Sequence, residues 1–133
     1  MLQEIAHVTL LVTDYDEAIA FYTEKLGFRL LTDTPLAPGK RWVLVAPPGA
    51  AGPALLLAQA EGSAQQSQVG YQTGGRVFLF LTTDDFWVDY RRLVASGVSF
   101  QETPREEVYA TVVVFADLYG NLWDLLQPNP AQA

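Results

Sequence analysis

Laid over itself with a shift of 69 residues, the chain repeats. His7–Thr13 (HVTLLVT) falls on Arg76–Thr82 (RVFLFLT), Asp16 on Asp85, Phe21 on Tyr90, and Thr34-Pro35 on Thr103-Pro104. The glycines Gly27 and Gly97 agree within one residue. The period exceeds that of solenoid repeats, and there are only two copies. The pattern reads as one module duplicated within one domain, so the chain is restricted to folds made of two like halves.

Each copy carries the same order of elements. Residues 5–12 (IAHVTLLV) are β-branched and apolar, as in a buried strand. Thr13 and Asp14 offer caps for a helix whose apolar face is Ala18, Ile19, Phe21, Tyr22 and Leu26, with Gly27 as its stop. Strands are predicted over 28–32, 42–46 and 54–60, with a turn at Pro38-Gly39. The second copy predicts a strand over 76–81, a helix over 86–96, and strands near 98–102, 111–116 and 121–127. Residues 61–75 (EGSAQQSQVGYQTGG) are polar and glycine-rich and read as a long loop. The result is an α+β fold of paired βαβββ modules, whose sheets would form a half-open barrel around a cavity. The expected domain spans 3–128, with module 1 over 3–60, module 2 over 76–128, and 61–75 between them.

Composition narrows the partners. Half of the 133 residues are hydrophobic and 17% are charged, which suits a packed core. No apolar run reaches the length of a membrane span, and no secretion signal reads at the N-terminus. A cytoplasmic location is the default expectation. There is no cysteine, hence no thiolate nucleophile or ligand. The formal charge is −7, and the eight Lys and Arg form no cluster longer than Arg91-Arg92. That argues against nucleic-acid binding, which needs clustered cations.

Three stretches carry a family resemblance: HVTLLVTDYDEAIAFYTEKLGF, GRVFLFLTTDD and FADLYGNLWDLLQ. Together, over about residues 3–128, they resemble the vicinal-oxygen-chelate superfamily of glyoxalases, bleomycin-resistance proteins and extradiol dioxygenases. Leu118-Tyr119 replaces the Pro-x of the family's usual closing turn. The resemblance implies the glyoxalase/bleomycin-resistance/dioxygenase fold. It leaves function open, because this fold hosts isomerases, lyases, dioxygenases and plain binding proteins.

The resemblance also implies a metal between the modules, held by His and Glu side chains. Carried over by residue, His7 matches the first ligand, Arg76 falls on the second His position, and the closing acid is Asp124. Arg76 stays protonated and cannot ligate. The remaining position lies in ALLLAQA, where Leu55, Leu57 and Gln59 share a face and only Gln59 is polar. A metal, if present, would have His7, Asp124 and Gln59 as its donors, whereas a catalytic divalent site normally takes three good ligands. The expected reading is therefore a glyoxalase/bleomycin-resistance-like small-molecule-binding protein without a metal or other cofactor. The alternative is a metal-dependent lyase, isomerase or dioxygenase with a nonstandard site. A third class is a subunit that serves only dimerisation or partner binding.

The candidate ligand-binding residues are His7, Arg76, Asp124, Gln59, Trp42 and Tyr109. His7, the only histidine, would be a hydrogen-bonded interior side chain or a pocket group. Arg76 and Asp124 would pair, with Arg76 offering an anion site. Trp42 and Tyr109 would be aromatic walls for an apolar body. Glu102, Glu106 and Glu107 read as a solvated turn, and Trp87 as core or interface. Two outcomes follow. Titration with nickel, zinc, manganese or iron(II) should show no tight one-to-one site; one abolished by His7→Ala would refute the assignment. Sedimentation should show a homodimer, because exposed sheet edges need cover; a monomer at high concentration would refute that.

Overall fold

The computed structural model describes residues 1–49 and 51–130. It divides into two compact units, the first Met1–Val69 and the second beginning at Gly70. The division falls within the segment expected to link the modules. The first unit holds β1 (His7–Val12), α1 (Tyr15–Ala20), β2 (Arg29–Ala37), β3 (Lys40–Ala46), β4 (Ala54–Gln59) and the short α2 (Gly62–Gln66). The second holds β5 (Val77–Thr82), α3 (Phe86–Ala95), β6 (Ser99–Phe100), β7 (Arg105–Glu106), β8 (Ala110–Ala116) and β9 (Leu122–Pro128).

The two sheets share one topology. The first runs β1-β4-β3-β2, and the second runs β5-β9-β8 with β6 and β7 both on β8. The opening strand pairs with the closing strand in parallel in each, and the other pairs are antiparallel. Both sheets are open. Among the described residues no helix is long and apolar enough to cross a membrane.

Local chemistry explains the elements. Asp14 caps α1 by accepting from the Glu17 amide at 2.9 Å, and Asp85 caps α3 by accepting from Val88 at 3.4 Å. After Ala20 the helix widens into a π turn over Phe21–Lys25, closed by the Leu26 amide on the Phe21 carbonyl at 3.1 Å. The wider turn lets the adjacent Phe21 and Tyr22 both be buried, where a regular helix turns one of two neighbours away.

The structure departs from the sequence expectation in three places. β2 is longer than 28–32, running to the Pro38-Gly39 turn, while its counterpart in the second module is broken into β6 and β7. Thr103-Pro104 falls in the gap, and proline cannot donate to the ladder. The equivalent Pro35 stays in β2 at a register shift. The segment 61–75 is not wholly loop: α2 forms there because the Gln65 side chain accepts from the Glu61 amide at 2.8 Å. Trp87 is 43% exposed on α3, against Phe86 and Tyr90, and is not core.

Each sheet buries one face. In the first, Leu10, Val12, Val43, Val45 and Leu57 are fully buried on the helix side. The register Leu10↔Leu57 and Val43↔Leu57 puts them on one face. Alternation then sends His7, Thr9, Leu11, Leu56 and Ala58 to the opposite, open face. In the second, Trp123, Leu125, Val113 and Phe115 are buried, and Trp123 stacks on Phe115 with ring centroids 6.0 Å apart. Asp124 takes the other face.

The closing turn is held by Asp117, which is buried and accepts from the backbone of Tyr119 and Asn121 and from the Asn121 amide group. Gly70 packs on this turn with φ +78°, so close that a Cβ would overlap the Tyr119 carbonyl oxygen. Gly70→Ala should therefore lower stability by about 1–3 kcal/mol, from left-handed strain plus the clash. Gly74→Ala, also left-handed but facing open space, should cost less. Urea midpoints compare them, and equal losses would remove the Tyr119 contact from the explanation.

Candidate ligand-binding site

The first sheet carries a cleft of about 470 Å³ where β1 and β4 end and the β2–β3 hairpin turns. Its floor is Thr9, Leu11, Leu56 and Ala58 on the open face, and Trp42 forms a wall. The small Ala54 and Ala58 leave room on a face where larger side chains would fill it. Trp42 packs on the cluster of Leu44, Ala46 and Ala54, and its ring meets His7 edge-on at 5.8 Å between centroids. His7 is exposed on that same face, at the start of β1. The structure thus brings His7 to Trp42, while Trp42 and Gln59 both line the cleft.

Gln59 is not a donor beside His7. It pairs with Val12 on the helix side of β4, and its amide donates to the Thr13 carbonyl at 3.2 Å. Gln127, nearly equivalent in the second module, donates likewise to the Asp84 carbonyl at 3.0 Å and accepts from the Phe86 amide at 2.9 Å. Both glutamines clamp the last strand of a module to the start of its first helix. The sequence shows which residues of β4 share a face; only the pairing shows which face it is.

Arg41 lines the cleft, yet its charge is already used. Its guanidinium forks onto Asp33 at 3.1 and 2.7 Å, reaches Asp16 at 2.9 Å, and lies over the Tyr15 ring at 5.1 Å. Its backbone amide donates to the Tyr15 hydroxyl at 3.2 Å. The bonds to Asp33 and Asp16 raise the Arg41 pKa further, and Arg41 holds the Asp33 carboxyl below the usual carboxylate range. The arginine fixes the hairpin against α1 and leaves the cleft without a free guanidinium. Sequence reasoning missed it, because three residues far apart in the chain make the cluster.

In the second unit Asp124 lies on the open face of β9, half-buried, with Oδ1 shielded from water and without a hydrogen-bond partner. Burial pushes its carboxyl above the usual range, Arg105 opposes that shift, and Glu102 adds to it. The expected pair with Arg76 does not form. The β5–β9 register sets Phe80 beside Asp124, so Arg76 precedes that level by four residues, roughly 13 Å along the strand. Arg76 is exposed, and the backbone carbonyl it contributes accepts from Thr73. The cation near Asp124 is Arg105. Glu102 accepts from it at 3.0 Å and Glu107 at 2.8 Å, and Glu102 also accepts from the Val114 amide at 3.1 Å. These glutamates are therefore a built network, not a solvated turn. Tyr109, 51% exposed, directly precedes β8.

Within each unit by itself, the surroundings of the carried-over donors do not complete the family's metal site. His7 has Thr9, Leu11, Ala54, Leu56 and Ala58 around it on its face, none of them a metal-ligating acid. Asp124 lies in the field of the Arg105 guanidinium, which disfavours a divalent ion. Among the described residues no group of three His, Cys, Asp or Glu gathers.

Two sheets built on the same βαβββ plan, one with an open-face cleft, define the fold class. The profile of the Glyoxalase/Bleomycin resistance protein/Dioxygenase superfamily matches residues 4–125, and the chain belongs to that superfamily. It is 57% identical over 133 residues to an "uncharacterized protein" of Shewanella frigidimarina (strain NCIMB 400), spanning 99% of this chain and 98% of the relative. Among solved structures it is similar to TnmS3, an antibiotic binding protein from Streptomyces sp. CB03234. There the TM-score is 0.78 and the identity 32%, over 96% of this chain and 98% of that one. It is also similar to UcmS2, with TM-score 0.83 and identity 30%, over 95% and 98%.

The environment of Asp124 predicts a pH dependence. A carboxyl whose folded pKa is raised binds its proton more tightly when folded. Its contribution is fully favourable below the unfolded pKa and is lost as pH rises through the folded pKa. Asp124→Asn should therefore stabilise the protein at neutral pH, with the gain fading on acidification through the carboxylate range. Thermal melts of both proteins across that range test this; a gain that grows with acid would reverse the sign.

Proposed function

We propose that this protein binds a planar, largely apolar, uncharged small molecule in the cleft of its first sheet, without a catalytic metal. The observation that carries the reading is the cleft itself: Trp42 stands over a floor of Leu11, Leu56 and Ala58, within the volume range of small-molecule sites. The Arg41 guanidinium is bound by two aspartates, and the other charged lining residues, Lys40 and Glu61, are opposite in sign. The antibiotic-binding description of TnmS3 supports ligand sequestration as the role. A lyase, isomerase or dioxygenase of the same superfamily needs three good donors around one ion, and neither sheet assembles them by itself. The anion-binding role expected of Arg76 also loses support, because Arg76 lies away from Asp124.

Nile red, a neutral planar dye, is a suitable probe. Titration should quench tryptophan emission and raise dye fluorescence. Trp42→Ala should weaken binding about tenfold, the scale of one lost aromatic contact with its buried area. Trp87→Ala, on the exposed side of α3, should leave binding unchanged. Equal affinity of the wild type and Trp42→Ala, with both folded by circular dichroism, would reject the cleft as the site.

A further inference from the structure

The segment after β4 is tied to the rest of the first unit in an unusual way. Residues 61–68 are all exposed, including every residue of α2. Every hydrogen bond that residues 61–69 make among the described residues stays within the segment. Glu61 donates its amide to the Gln65 side chain, Ser67 donates to Ser63 and through its hydroxyl to Ala64, and Gln68 and Val69 donate to Gln65 and Gln66. Of its residues only Val69, at the end, is partly buried. Glu61 and Gln65 line the cleft.

A five-residue helix without buried contacts has little stability of its own. Its entry is Gly62, at φ +76° and with open space around it, so the chain can pivot there without a clash. The segment is therefore hinged at its entry, and its polar side chains Glu61 and Gln65 face the cleft.

We propose that residues 61–69 are a ligand-recognition strap. With the cleft occupied, the strap is ordered by contacts to the bound molecule, and Glu61 and Gln65 read polar groups at the ligand's edge. The floor supplied by Leu11, Leu56 and Ala58 with Trp42 takes the apolar body. The strap adds the requirement for a hydroxyl, amide or amine at the rim, because a carboxylate accepts and a carboxamide both donates and accepts. The ligand class is thus a flat apolar ring system with a hydrogen-bonding substituent on one edge. This rests on the cleft reading above.

Hydrogen–deuterium exchange on the full chain tests it, with Nile red and with its 2-hydroxy derivative as probes. Amides of residues 61–69 should exchange quickly in the unliganded protein and slow by about tenfold or more with the hydroxylated dye bound. Gln65→Ala should weaken Nile red binding less than it weakens binding of the hydroxylated dye. It should speed dissociation of the hydroxylated dye about three- to tenfold, the scale of one lost hydrogen bond. Trp42-dependent binding with no protection of 61–69 would overturn the strap and leave the cleft standing. Equal effects of Gln65→Ala on both dyes would overturn the recognition role. Failure of both dyes to bind would overturn the cleft and the strap together.

Discussion

The parallel pairing of the first and last strand in each module is the constraint on which the rest depends. It joins β1 to β4 and β5 to β9, so a helix must cross over between strands far apart in sequence. That helix covers one face of the sheet, and the register then assigns every side chain to the covered or the open face. In the first sheet Leu10 meets Leu57 under the helix, so Thr9, Leu11, Leu56 and Ala58 have to face out. A one-residue slip would exchange the two sets, placing Val12 and Leu57 in the cleft and Leu11 in the core. Cleft and core are thus two consequences of one register.

Charge follows the same architecture. Each module contains one arginine clasped by two carboxylates, Arg41 by Asp16 and Asp33, Arg105 by Glu102 and Glu107. These pairs are partly exposed, so each adds little stability. Their consequence is geometric. Arg41 locks the β2–β3 hairpin to α1 and keeps Trp42 at the cleft wall, while Arg105 sets the field around Asp124. A half-buried carboxylate on a strand face beside Leu122 and Leu126 is unfavourable for folding unless it is protonated or given a partner.

Duplication also explains where the two halves have diverged. The glutamine clamps and the helix-capping aspartates are kept in both modules, because both must fasten a helix to the end of a strand. The edge strand is kept whole in the first module and broken around Thr103-Pro104 in the second. The first module thereby gains a long hairpin as a cleft wall, and the second gains a turn on which Glu102, Arg105 and Glu107 converge.

By itself the sequence determined the two modules, their βαβββ order, the cap at Asp14, and which residues of β4 share a face. These are local: they rest on periods of 2 and 3.6 residues, on turn chemistry, and on a repeat read along one line. Only the tertiary structure decided which face was open. It therefore turned Gln59 into a clamp, separated Arg76 from Asp124, and put Arg105 beside that carboxylate. It also decided that Asp16, Asp33 and Arg41 form one cluster, and that Glu61 and Gln65 come to the cleft. No spacing along the chain encodes such neighbours, because they depend on strand register and on how hairpins twist across one another.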